Sequence, residues 1–186
     1  MIIFEFSEYN LLTLATHKLK KVIAAHEASN QDSLSKTSKK DLKARLKFRH
    51  MTSIGSSHLF LASEKDIYLL NLDGTALTLK IKLHHTSITS FAANQQKSVL
   101  CVGDSNGRLT YYNNVLSNFD QQNIFHWHSA KVAALDFANL GEMVLTGGLE
   151  GVIVVWYFGG AKKDFCPRVD GEIVEIVSNL DGDKVC

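Results

Sequence analysis

Apolar residues in this chain fall into short runs separated by small polar or glycine-containing clusters, the pattern of short strands joined by tight turns. Val132 to Phe137 reads as a strand, Asn139-Leu140-Gly141 as a turn, and Met143 to Thr146 as the next strand. The Leu149-Glu150-Gly151 turn then opens the β-branched run Val152-Ile153-Val154-Val155-Trp156. Continuous apolar strands of this kind need cover on both faces, which stacked four-stranded sheets supply. Phe48–Ile54, Leu59–Ser63, Asp66–Leu72 and Leu77–Leu83 read as four further strands, with turns at Gly55-Ser56-Ser57, Glu64-Lys65 and Asp73-Gly74. Ile2–Phe6 and Leu11–Thr16 are expected as inner strands. Glu172–Val177 alternates as a first strand before an Asp181-Gly182 turn, and Lys184-Val185-Cys186 begins the next. Leu19–Ala28 reads either as strand running into loop or as a short helix, because Leu19, Val22, Ile23 and His26 share a helical face.

The pattern repeats. The segment from His84, HHTSITSFAANQQKSVLCVGDSNGRLTYYN, superimposes without gaps on the segment from His128, HSAKVAALDFANLGEMVLTGGLEGVIVVWY, at an offset of 44 residues. The offset pairs His84 with His128, Ile88 with Val132, Gly103 with Gly147, Gly107 with Gly151 and Tyr112 with Trp156. A His near the start of such a period and Gly-x-x-x-Gly leading to a Trp near its end resemble the WD40 repeat. That resemblance implies an all-β, WD40-type β-propeller. It also implies a tetrad within a blade, whose roles fall on His128, Thr146, Glu150 and Trp156, with Glu150 standing where Asp is usual. The physical need is plain, since a buried imidazole and a buried indole N–H both require partners. In the preceding repeat the matching positions are His84, Val102, Asn106 and Tyr112, and Val102 breaks the network.

Charge changes the picture of the N-terminal part. The 20 Lys/Arg and 19 Asp/Glu leave a net charge of only +1, against a uniformly nucleic-acid-coating protein. Yet Lys18 to Arg49 holds ten basic residues and three acids, so a basic segment precedes an acidic body. Within it, the Ser/Lys-rich stretch Ser29–Lys40 is expected as a loop or linker. Lys39, Lys40, Lys43, Arg45, Lys47 and Arg49 are candidates for RNA phosphate contact or for an import signal, or else form a solvated loop. No aromatic residue interleaves them, which favours phosphate contact without base reading. The composition, 45% hydrophobic and 21% charged, is that of a globular protein, and 12 Gly with 1 Pro exclude collagen-like designs.

The remaining chemistry is sparse. Glu5 and Glu8 interrupt the apolar start, so no signal peptide is expected, and no window is long and apolar enough for a membrane span. Cys101, Cys166 and Cys186 form no Cys-x-x-Cys pair, which fits a reducing compartment and neither a disulfide framework nor a zinc knuckle. His126-Trp127-His128 invites a metal reading, but no third ligand with suitable spacing is near. Trp127 is open between a partner-binding aromatic and a residue buried between blades. No Gly-x-Ser-x-Gly, Walker or dinucleotide motif occurs, and no enzymatic activity, cofactor or small-molecule substrate is expected.

A more particular resemblance covers residues 125–185. FHWHSAKVAALDFANLGEMVLTGGLEGVIVVW followed by KKDFCPRVDGEIVEIV resembles the nucleolar WD-repeat-containing protein seventy-five family, which shows His-Trp-His before a blade and a Phe-Leu-Pro-Arg-Leu segment after its Trp. Cys166 and Val169 replace the two usual leucines. The resemblance implies a nuclear, nucleolar scaffold in the U3 small nucleolar ribonucleoprotein and small-subunit processome, acting in pre-ribosomal RNA transcription and 18S processing. Its partners would be other processome subunits and the U3 and pre-ribosomal RNA assembly, with no membrane. The alternative is a general WD-repeat adaptor for a ubiquitin ligase or a trafficking coat. On this reading residues 1–28 are a partial blade, 29–47 the basic loop, 48–83 a degenerate blade, 84–127 a WD-like blade, 128–171 a WD blade and 172–186 the start of another. That makes about four blade equivalents of four-stranded antiparallel sheet, an incomplete propeller, and the chain is expected to be a fragment of a longer protein.

Overall fold

A computed structural model describes residues 48–73, 77–158 and 162–179. The expected strands in Ile2–Phe6 and Leu11–Thr16, the Leu19–Ala28 segment, the basic residues 39–47 and the turn and strand after residue 180 lie outside the described residues. The chain divides into two units, residues 1–82 and 83–186.

In the first unit, β1 (His50–Ile54), β2 (His58–Ala62), β3 (Asp66–Asn71) and β4 (Leu77–Lys82) form one antiparallel sheet in the order β1-β2-β3-β4. Each strand is hydrogen-bonded to its sequence neighbour, as tight turns between short strands dictate. Leu59, Leu61, Leu70 and Leu72 make a cluster on one face, closed by Phe48 and Tyr68 in an edge-to-face pair at 5.7 Å. Phe60 and Ala62, alternating with them, are fully buried too, so β2 is covered on both sides.

The second unit holds two sheets of the same plan. One is β5 (Ile88–Asn94), β6 (Val99–Asp104), β7 (Arg108–Asn113) and β8 (Asp120–His126). The other is β9 (Val132–Ala138), β10 (Met143–Gly148), β11 (Val154–Tyr157) and β12 (Lys163–Phe165). They meet face to face over Cys101 and Leu109 from the first and Leu135, Val144, Val154 and Trp156 from the second. Thr89 and Ser90 hydroxyls on β5 both donate to the Val132 carbonyl of β9, at 2.7 and 2.8 Å, tying the two inner strands. In the β6–β7 turn, Asp104 Oδ1 accepts the N–H groups of Asn106 and Arg108 at 2.9 and 3.0 Å, closing the turn from a side chain.

Glycine sets the spacing of the layers. A Cβ at Gly103 would lie 2.7 Å from Val132 Cβ, and one at Gly147, a repeat later, 2.5 Å from Ile173 Cγ2. Each glycine is therefore a notch that admits the first apolar residues of the segment that follows. One expectation fails here, because Glu172–Val177 forms no strand and only Ser178 is bridged. The 44-residue offset carries Val132 to Ile176, so residues 172–175 correspond to the loop before β9 and not to β9 itself. Ile173 instead donates its N–H to Gly148 O at 3.0 Å and, with Ile176, packs on Ala134, Ala138 and Leu145.

Gly147→Ala should lower stability by about 1–3 kcal/mol through overpacking. Ile173→Ala in the same chain should recover part of that loss, and thermal melts of the four members of the cycle measure the coupling. Additive effects would contradict the notch.

Candidate functional site

The polar centre of the second unit is built on the link between its sheets. The chain leaves β8 at His126, crosses through Trp127 and His128, and enters β9 at Val132. His128 is 1% exposed, Thr146 on β10 is fully buried and Trp156 on β11 is 5% exposed, so their polar atoms must find partners inside. The structure brings them together. Trp156 Nε1 donates to Thr146 Oγ1 at 2.8 Å, and Thr146 Oγ1 lies 2.8 Å from His128 Nε2. His128 Nδ1 lies 3.2 Å from Glu150 Oε2 in the β10–β11 turn. The other carboxylate oxygen, Oε1, accepts the Ser129 N–H at 2.6 Å, its hydroxyl at 2.8 Å and the Ala130 N–H at 3.1 Å.

Protonation follows from this geometry. Burial pushes the His128 pKa down, against the raising effect of Glu150, so the ring is neutral at neutral pH. Glu150 only accepts, so Nδ1 carries the proton and Nε2 accepts from the Thr146 hydroxyl. The relay therefore runs in one direction, from indole to hydroxyl to imidazole to carboxylate. Burial alone would raise the Glu150 carboxyl. Its own backbone N–H, the Ser129 hydroxyl, the Ala130 N–H and His128 outweigh that and hold it at about 2. The longer Glu side chain thus reaches the loop backbone as well as the ring.

The equivalent positions of the preceding repeat do not assemble. His84 is exposed, Val102 is buried without a polar group, and Tyr112 packs on Phe119 at 5.3 Å. His126 is exposed, with Nε2 3.1 Å from Asn106 O, and no group of three metal-ligating side chains occurs among the described residues. Trp127 is half-buried, edge-on to His128 at 5.2 Å and 5.0 Å from the Phe165 ring. Cys101 is fully buried, and burial pushes its thiol pKa well up, which leaves it unreactive. Of the six basic candidates only Arg49 lies among the described residues, where it makes an exposed pair with Glu64 at 3.3 Å. Sequence reasoning missed Ser129, whose only signal was its place directly after His128. It also missed Asp136, which holds Ser178 through the Ser178 N–H at 2.8 Å.

Stacked four-stranded antiparallel meanders with a His–Thr–Trp relay buried in one of them define a WD40-type β-propeller. The chain belongs to the family described as the first β-propeller of WD repeat-containing protein 75, whose model matches residues 15–186. It is 33% identical to U3 small nucleolar RNA-associated protein 17 of Schizosaccharomyces pombe over 47% of this chain and 11% of that protein. It is 29% identical to WD repeat-containing protein 75 of Xenopus laevis over 73% of this chain and 17% of that protein. NET1-associated nuclear protein 1 of Saccharomyces cerevisiae is 29% identical over 47% of this chain and 10% of that protein. The chain spans less than a fifth of the length of these relatives. A chain in the crystal structure of the mitotic checkpoint complex superposes with a TM-score of 0.65 at 18% identity, covering 74% of this chain and 42% of that one, and bears on the fold alone.

Thr146→Val keeps shape but strands His128 Nε2 and the Trp156 N–H; we expect a loss of about 2–4 kcal/mol in a denaturant melt. A second expectation concerns pH. His128 has an ordinary value of 6.5 and is lowered by folding; Glu150 goes from 4.5 to about 2. In both cases the folded state binds fewer protons than the unfolded, so stability is complete above the ordinary value and lost as pH falls through the folded one. The melting temperature should fall from pH 6.5 downward and again between 4.5 and about 2. Glu150→Gln should shrink the lower window, leaving the contribution of Asp164, which Lys162 also holds below its ordinary value, seen in melts across pH.

Proposed function

We propose that this chain is part of a non-catalytic WD40 scaffold of ribosome biogenesis, working in the nucleolus with the U3 RNA and the small-subunit processome in pre-ribosomal RNA transcription and 18S processing. The observation that carries this reading is membership of the family together with a relative named for association with the U3 small nucleolar RNA. The name of the Saccharomyces cerevisiae relative supports a nuclear location. A scaffold role is supported by the use made of the polar groups: the Thr146 hydroxyl, His128 and Glu150 are all engaged with one another or with the loop backbone. Such a network holds loops in place, and loops on a rigid sheet framework are what a scaffold offers its partners. The basic run Lys39, Lys40, Lys43, Arg45, Lys47 and Arg49 would add phosphate contacts or an import signal, with Arg49 already engaged by Glu64.

The test is localisation and RNA recovery. A tagged parent protein should concentrate in nucleoli and co-purify U3 RNA. A diffuse cytoplasmic signal without that RNA, with protein partners only, would instead support a general adaptor.

A further inference from the structure

Residues 39–47 hold no aromatic among their basic side chains, but elsewhere folding brings aromatics and a cation together from distant segments. At the outer edge of the second sheet of unit two, Phe165 on β12 is 48% exposed. Its ring lies 5.0 Å from that of the half-buried Trp127, which arrives from the loop after β8. Lys163, two residues before Phe165 and on the same face of the strand, holds its Nζ 6.0 Å from the Phe165 ring and 5.7 Å from the Trp156 ring. Arg168 follows, exposed, within the Cys166-Pro167-Arg168 segment. Asp164, the acid of the strand, alternates to the other face, where it pairs with Lys162 at 3.1 Å. Strand β12 is last in its sheet, so one edge of its backbone is open among the described residues.

We propose that this edge is a stacking platform for single-stranded RNA, with Phe165 and Trp127 receiving a base and Lys163 and Arg168 receiving the flanking phosphates. The inference rests on the RNA-associated reading above and names the surface that would serve it. A lone exposed Phe is unremarkable. A ring buttressed by a second aromatic and bordered by the Lys163 ammonium, with the exposed Arg168 three residues after Phe165, matches a base joined to phosphates. The exposed Phe165 ring lies beside the Lys163 ammonium, a pairing of aromatic face and cation that suits a base joined to a phosphate. Stacking needs an unpaired base, so the platform selects single strands over duplex.

The experiment uses the whole 186-residue chain and a labelled oligouridylate of about 12 nucleotides, within the usual site sizes. The basic run at 39–47 is present in every arm, so differences between variants report on the edge. Phe165→Leu should weaken binding about tenfold and Phe165→Tyr should restore it, as expected for one stacked base. Lys163→Gln should reduce the slope of log affinity against log salt by about 0.7, one phosphate contact on a single strand. Oligouridylate should also quench tryptophan fluorescence in the unaltered chain, a reading that stands if Phe165→Leu fails to fold. Absence of quenching, equal binding by Phe165→Leu in a folded chain, or duplex RNA bound as tightly as single strand would each overturn the platform. So would a Phe165→Leu chain that keeps oligouridylate but loses a processome protein in pull-down. U3 RNA still recovered by the tagged parent after such a result leaves the scaffold reading intact; loss of that recovery removes the scaffold reading itself.

Discussion

The hydroxyl of Thr146 is the point on which the second unit turns. It is fully buried and sits between an indole donor and an imidazole acceptor, each 2.8 Å away. A hydroxyl is one of the few groups that can accept and donate at once in so small a space. Through it, β10 and β11 are joined to the loop that delivers the chain from one sheet to the next. Glu150 extends the same line to the backbone of Ser129 and Ala130, so the loop has little freedom left. That loop positions Trp127, and Trp127 in turn supports the exposed ring of Phe165. A buried polar interaction thus fixes a surface feature through contacts that can be followed atom by atom.

The neighbouring sheet reaches the same architecture by other means. With Val102 at the Thr position it has no polar hub, and β6 is apolar and buried along its length until Asp104. Asp104 ties down the following turn, Tyr112 packs on Phe119, and Thr89 and Ser90 fasten the inner strand to Val132. Replacing a satisfied polar network by packed apolar side chains is energetically nearly neutral, whereas leaving half of one is not. The preceding repeat lacks the network as a unit: its His84 is out in solvent and not stranded inside.

Much of this was legible in the sequence, and the reasons differ by residue. The 44-residue offset and the alternation of short apolar runs with glycine turns located ten of the twelve described strands. The outer strands β8 and β12 were not legible. Asp120–His126 is largely polar and Lys163–Phe165 has three residues, because an edge strand is covered on fewer sides and needs less apolar content. The Glu172–Val177 run misled because its apolar content reflects Ile173 and Ile176 filling a notch, and these buried residues lie three apart, not at the two-residue period of a strand. Of the candidate residues, His128, Thr146, Glu150 and Trp156 carried their spacing in the repeat. The Phe165–Trp127–Lys163 grouping did not, since nothing local to either segment announces a meeting between them.

The glycine notches have a temporal meaning. Gly103 waits for Val132 and Gly147 for Ile173, so both sheets of the second unit are finished by residues that lie downstream of them. A polypeptide emerging from the ribosome exposes its N-terminal segments first. Each of these two sheets must therefore stand with an unfilled groove until the next stretch of chain has been synthesised, and at Gly103 the residue that fills it, Val132, also opens β9. A delay in translation between either glycine and its partner would prolong the exposure of that groove to other apolar surfaces.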